Sequence, residues 1–133
     1  MKTLSFIIIL ITIVMNDVSF AQQDSAKAQE EKYEMKTYYM VFLLKGPHRD
    51  QDSVTAGKIQ EAHLANISRL AKEGKLAIAG PFLDDGNLRG IFILVANSLE
   101  EAKKLCETDP AIQAGRLNYE IHPWLSARGS KLP

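Results

Sequence analysis

The stretch Ile59–Phe82, IQEAHLANISRLAKEGKLAIAGPF, constrains this chain most: it reads as the last turns of a helix, a glycine stop and a short strand. Apolar residues recur at Ile59, Ala62, Ile67, Leu70 and Ala71, the spacing of one helical face. Gly74 ends the helix, because glycine accepts the left-handed conformation that helix C-termini favour. Leu76–Ala79 is an apolar run that suits a strand packed beneath the helix, and Gly80-Pro81 stops it, since proline cannot donate to a ladder. His63 lies four residues after Ile59 and four before Ile67, so an ionisable imidazole shares the buried-facing stripe. Two readings fit it: a core histidine satisfied by a nearby carbonyl, or a titratable group placed for chemistry.

The other elements follow from the same rules. Thr37–Leu44, TYYMVFLL, is aromatic and β-branched enough for a first strand, apolar on both faces near its end. A polar loop from Lys45 to Asp52 follows, and Ser53 is placed to cap a helix over Val54–Glu73. Gly57 lies inside that helix, at a cost of up to ~1 kcal/mol relative to alanine. Strand two covers Lys75–Pro81. Asp84-Asp85-Gly86-Asn87 is a turn, and Leu88–Val95 is a third strand forming an antiparallel hairpin with the second. Ser98 and Glu101 make a capping box for a helix with Leu99, Ala102, Leu105 and Cys106 on one face, ending near Thr108. Asp109-Pro110 caps and starts a further helical turn, closed by Gly115. Leu117–Pro123 is a fourth strand. The order β-α-β-β-α-β predicts an α+β, ferredoxin-like sandwich. Its helices cover one sheet face, and a symmetric homodimer is the commonest way to cover the other.

The N-terminus reads differently. Lys2 precedes an apolar run, Leu4–Val14, and Ser19-Phe20-Ala21 offers a small-x-small cleavage site. These are the parts of a secretory signal peptide over residues 1–21, cut between Ala21 and Gln22, with an uncleaved anchor as the other reading. The run is shorter than the roughly 20 residues of a membrane span. The expectation is an exported protein, periplasmic or secreted, with no stable membrane anchor after cleavage. Residues 22–36 are polar and read as a flexible linker. The domain covers residues 37–125, about 90 residues, enough for one modest core, and 126–133 form a tail. Sixteen basic residues balance sixteen acidic ones, which gives no nucleic-acid footprint. Cys106 is the only cysteine. It reads as a buried thiol, with pairing between chains as the alternative.

These residues form a set that resembles the YCII-related (YciI-like) family of small dimeric α+β-barrel domains. The set is His63-Leu64 followed by Leu70, Ala79-Gly80-Pro81, Leu99–Lys103, Asp109-Pro110 with Ala114-Gly115, and Pro123. It spans about Thr37–Trp124. The exported N-terminus is the departure, since many relatives lack one. The resemblance implies a fold similar to muconolactone isomerases and an active-site pair of His63 and Asp109. An aspartate at the start of a helical turn sits where free amides favour negative charge. A carboxylate accepting from one imidazole nitrogen fixes the tautomer and leaves the other nitrogen as a base. For Asp109 alone, a simple helix cap is the competing reading.

The remaining candidates line up around that pair. Arg49, on the loop after strand one, has the forked donors to clamp a carboxylate; a solvated surface arginine is the alternative. Gly80, Pro81 and Arg89 are the other expected substrate-binding residues, with Arg89 either lining the cleft or pairing with Asp84 or Asp85. Trp124 and the strand-one aromatics are placed to wall the cleft, and His48 and His122 complete the histidines. Their spacing matches no local metal motif, and the glycines are too isolated for a phosphate loop, so no metal and no cofactor are expected. The functional expectation is an enzyme using His63 and Asp109 for proton transfer on a small, cyclic or aromatic molecule, of isomerase, lyase or dehalogenase type. The alternative is a non-catalytic dimer that binds a small ligand or serves a structural role.

Overall fold

The computed structural model describes residues 34–133. The signal peptide and its cleavage, and the linker as far as residue 33, lie outside the described residues. The chain divides into two compact units, of which the larger is Lys36–Ser126. In the smaller, Arg128 and Glu34 form an ion pair at 2.6 Å.

The described residues carry the elements expected, in the order expected. Strand β1 is Met35–Lys45, helix α1 Ser53–Lys72, β2 Leu76–Pro81, β3 Leu88–Leu94, helix α2 Leu99–Glu107, the short helix α3 Pro110–Gln113, and β4 Leu117–Ala127. The strands form one four-stranded sheet in the order β2-β3-β1-β4, with β3 antiparallel to both β2 and β1. This is an α+β, ferredoxin-like arrangement. Strand β1 begins at Met35, inside the expected linker, and β4 runs past Pro123 to Ala127, into the expected tail.

The core follows from strand alternation. Tyr39, Val41 and Leu43 of β1, and Phe92 and Leu94 of β3, face the same side and meet Leu70 of α1 with Ala102 and Cys106 of α2. Both helices therefore cover one sheet face. Each fully buried leucine or phenylalanine contributes about 1.5–3 kcal/mol of transfer free energy. Burial pushes the Cys106 thiol up to about 12, with the Asp109 and Glu107 carboxylates adding to it, so this cysteine packs as an apolar residue.

Local signals shift by a residue or so. The N-cap of α1 is Asp52, not Ser53: its Oδ1 accepts from the amides of Val54 and Thr55, both at 3.0 Å. The Thr55 amide and hydroxyl also hold its carboxyl below the usual range. On α1 the buried line is His63, Asn66 and Leu70, while Ala71 is exposed. Gly74 stops the helix at φ +69°. Leu99, expected on the inner face of α2, is 37 % exposed.

The Ser98 hydroxyl accepts from the Glu101 amide at 3.1 Å, but Glu101 reaches back to the Asn97 amide (2.7 Å) and to Lys75 Nζ (2.6 Å). The Lys75 ammonium, then Asn97, hold its carboxyl at about 2, down from 4.5. A depressed carboxyl contributes stability above its unfolded value, so this contribution is complete above pH 4.5 and lost as pH falls through about 2. Glu101→Gln is therefore expected to lower the melting temperature near neutral pH and to converge with the parent near pH 2. Melting curves that stay parallel over that range would contradict it.

Candidate active site

His63 points inward from α1 because the helix turns the line His63–Asn66–Leu70 towards the sheet. Asp109 arrives from the other end of the domain as the N-cap of α3. The two meet: His63 Nδ1 lies 2.7 Å from Asp109 Oδ2. The aspartate is completely buried, and its other oxygen accepts from the Ala111 amide at 2.8 Å. A carboxylate only accepts, so Nδ1 carries the proton and Nε2 is left for another partner. Phe92 supports the imidazole, stacked at 6.1 Å between centroids.

A second tie holds the pair in register. Arg69 Nη2 donates to Asn66 Oδ1 (2.7 Å) and to the hydroxyl of Thr108 (3.1 Å), the residue before Asp109. The α1 segment carrying His63 is thus fastened to the start of α3. Asn66 Nδ2, buried beside it, has no partner among the described residues, so the tie costs the desolvation of one amide donor.

His63 lines a cavity of about 370 Å³ between α1 and the sheet. Arg49, Gly80, Pro81 and Arg89, the residues expected to bind substrate, line the same cavity. Asp109 does not: it stands behind His63. The reach of Arg89 has a visible cause. Leu43 pairs with Gly90 and Leu44 with Leu88, so Arg89 is an extra residue in β3. Such a bulge re-aims side chains, and it lets Arg89 and its neighbour Gly90 both face the cavity.

Arg116, which the sequence analysis did not single out, also lines the cavity. It is brought there by a clasp between two loops. The amides of Gly46 and His48 donate to the carbonyls of Arg116 and Gly115, both at 2.9 Å. Arg49 Nη1 donates to the Arg116 carbonyl at 2.8 Å, and Arg116 Nη1 to Gln51 Oε1 at 2.7 Å. Burial first, then the Arg116 and Arg89 charges, lower the Arg49 pKa from its usual value.

Other expectations are corrected. Trp124 packs near Tyr38 and His122 near Phe42, with centroids 6.2 and 5.8 Å apart. Tyr38 and Phe42 alternate with the core residues Tyr39, Val41 and Leu43, so these rings lie on the sheet face away from the helices. The cavity wall comes instead from Leu43, Phe92 and Leu117, with Ile59 and Ile67 of α1. His48 packs against Gly115 in the clasp. Among the described residues no three His, Cys, Asp or Glu side chains gather as a metal site needs.

An uncharacterised protein, YjpA, of Bacillus subtilis strain 168 is 32 % identical over 71 residues, which is 50 % of this chain and 81 % of YjpA. Among solved structures, a 5-chloro-2-hydroxyhydroquinone dehydrochlorinase from Burkholderia phenoliruptrix AC1100, in complex with 2,5-dihydroxybenzoquinone, aligns with a TM-score of 0.49 and 24 % identity, over 65 % of this chain and 92 % of that one. The model of the YCII-related domain matches residues 37–125, and with it the chain belongs to the YCII-related domain family.

Proposed function

We propose that the cavity is the site of an enzyme that moves a proton on a small molecule, with His63 Nε2 as the base and then the acid, and Asp109 holding the imidazole in the tautomer that frees it. One observation carries this reading: a buried carboxylate has both oxygens occupied, by the Ala111 amide and by His63 Nδ1, behind an imidazole that lines a cavity. The carboxylate is too enclosed to meet a substrate itself, and the imidazole is not. Isomerisation and elimination, including loss of halide, both begin with such a proton abstraction.

The test does not require the natural substrate. The protein is incubated in deuterium oxide with a panel of cyclic and aromatic keto and hydroxy compounds, and carbon-bound deuterium is read by NMR. Exchange on at least one compound is expected, falling by on the order of 100-fold or more in His63→Ala. Equal exchange in parent and variant, or none on any compound, sinks the reading. The non-catalytic alternative has its own support, because Asp109 also caps α3 and so stitches two helices together. Its signature is a large loss of melting temperature in both His63→Ala and Asp109→Ala, with no exchange.

The same reading includes a homodimer and export. Met40, Phe42, Ile78, Ile91 and Trp124 share the sheet face that the helices leave uncovered, a surface suited to a second copy of the chain. A monomeric mass by light scattering at micromolar concentration overturns the dimer. Export rests on residues 1–21, and a secreted form beginning at Gln22 by N-terminal sequencing is the expected result; a chain retained with Met1 in the cell overturns it.

A further inference from the structure

We propose that the cavity mouth is a receptor for the anionic group of a small organic acid, built from Arg49, Arg89 and Arg116. This rests on taking the cavity as the ligand site, and it adds the class of ligand.

Three arginines line one cavity from three separate parts of the chain: the β1–α1 loop, the β3 bulge and the α3–β4 junction. Each spends an Nη1 on a neutral oxygen. Arg49 donates to the Arg116 carbonyl at 2.8 Å, Arg116 to Gln51 Oε1 at 2.7 Å, and Arg89 to the carbonyls of Asp84 and Gly86 at 3.2 and 3.3 Å. These contacts aim the side chains and leave further N–H donors on each fork. Among the described residues, no carboxylate comes within ion-pairing distance of any of the three, whereas Arg69, Lys75 and Lys103 each have one. No aspartate or glutamate among the described residues lines the cavity, and Asp109, behind His63, has both oxygens engaged.

Like charges gathered without counter-charge repel: the Arg49 pKa is lowered first by burial and then by the charges of Arg116 and Arg89. A protein holding three uncompensated cations around a hollow favours whatever anion enters it. The rest of the wall sets the kind of anion. Leu43, Ile59, Ile67, Phe92 and Leu117 are apolar, so the body that follows the charge is apolar too. A volume of about 370 Å³ lies near the small end for ligand cavities, which fits a single-ring acid rather than a polymer end.

The experiment is calorimetric titration of the full chain at low salt with benzoate, benzamide and inorganic phosphate. Benzoate is expected to bind on the order of 10- to 100-fold tighter than its neutral isostere benzamide, because charged hydrogen bonds are lost with the charge. It should also bind more tightly than phosphate, which cannot use the apolar wall. Arg116→Met and Arg89→Met should each weaken benzoate by a similar factor and leave benzamide unchanged, with thermal melts confirming that one or both fold. Benzamide or phosphate binding as tightly as benzoate overturns the proposal, as does undiminished benzoate binding in the folded arginine variants. Binding is read without turnover. Discrimination for benzoate without any deuterium exchange sinks the proton-transfer reading and leaves the anion receptor standing; exchange without discrimination does the reverse.

Discussion

Asp109→Asn is expected to keep the fold and to abolish the base. Asp109 has two jobs, and asparagine can do only one of them. Its Oδ1 caps α3 by accepting from the Ala111 amide at 2.8 Å, and asparagine caps a helix about as well as aspartate. With the amide oxygen kept there, the NH₂ group faces His63 Nδ1, where a carboxylate oxygen now sits at 2.7 Å. That group donates, so Nδ1 must accept, and the imidazole proton moves to Nε2. Exchange of substrate protons should then fall on the order of 10³- to 10⁴-fold, the scale set by a wrong histidine tautomer in serine proteases. Nitrogen-15 shifts of the imidazole should report the proton on Nε2 in the variant and on Nδ1 in the parent. The melting temperature should stay within a few degrees. Asp109→Ala is the contrast: it loses the cap and leaves a buried imidazole unpaired, together about 2–4 kcal/mol. An Asn variant that keeps both the Nδ1 proton and the rate would show that the carboxylate does not set the tautomer.

How much of this was legible in the sequence depends on how far apart the interacting residues lie. The helix stop at Gly74 and the Asp109-Pro110 cap depend on neighbours, and the order of elements followed from them, whereas the expected Asp-Gly turn is a longer connection over residues 82–87 in which Gly86 has no positive φ. The choice between Asp52 and Ser53 as N-cap is not local in that sense. Both are capping residues side by side, and only the conformation of the loop decides which oxygen reaches the amides of Val54 and Thr55. Asn66 is polar and was invisible to a pattern of apolar residues; its burial is made possible by Arg69 and by Thr108, forty-two residues away. Arg116 carried no signal, because what makes it a cavity residue is a clasp with a loop some sixty-five positions earlier. Trp124, a candidate cleft wall from the sequence, lies on the opposite sheet face beside Tyr38, because strand phase decides which side each ring takes. His63 was visible as the odd residue on its stripe, while its partner came from family resemblance, since no periodicity links residues 46 positions apart.

Gly46→Ala is expected to be among the most damaging single-methyl additions in the domain. A Cβ at Gly46 would run into the carbonyl oxygen of Gly115 and come within 2.7 Å of the Arg116 carbonyl carbon. The obstacle is backbone, so no side chain can swing aside. Relief requires the two loops to part, which breaks the bonds from the Gly46 and His48 amides to Arg116 and Gly115. Overpacking and two lost backbone bonds together predict about 2–4 kcal/mol, or a fall in melting temperature of about 10–20 °C for a domain this size. The same parting moves Arg49 and Arg116, so benzoate affinity should fall even at temperatures where the variant is folded. Gly57→Ala separates this geometry from the general cost of touching a glycine. Gly57 is exposed on α1 with nothing within 4 Å of its added Cβ, so that change should stabilise by about 0.5–1 kcal/mol. Urea titrations of the two variants should therefore move in opposite directions from the parent. A Gly46→Ala midpoint at or above the parent value would mean that the loops part at no cost, and that the clasp does not hold the cavity mouth in place.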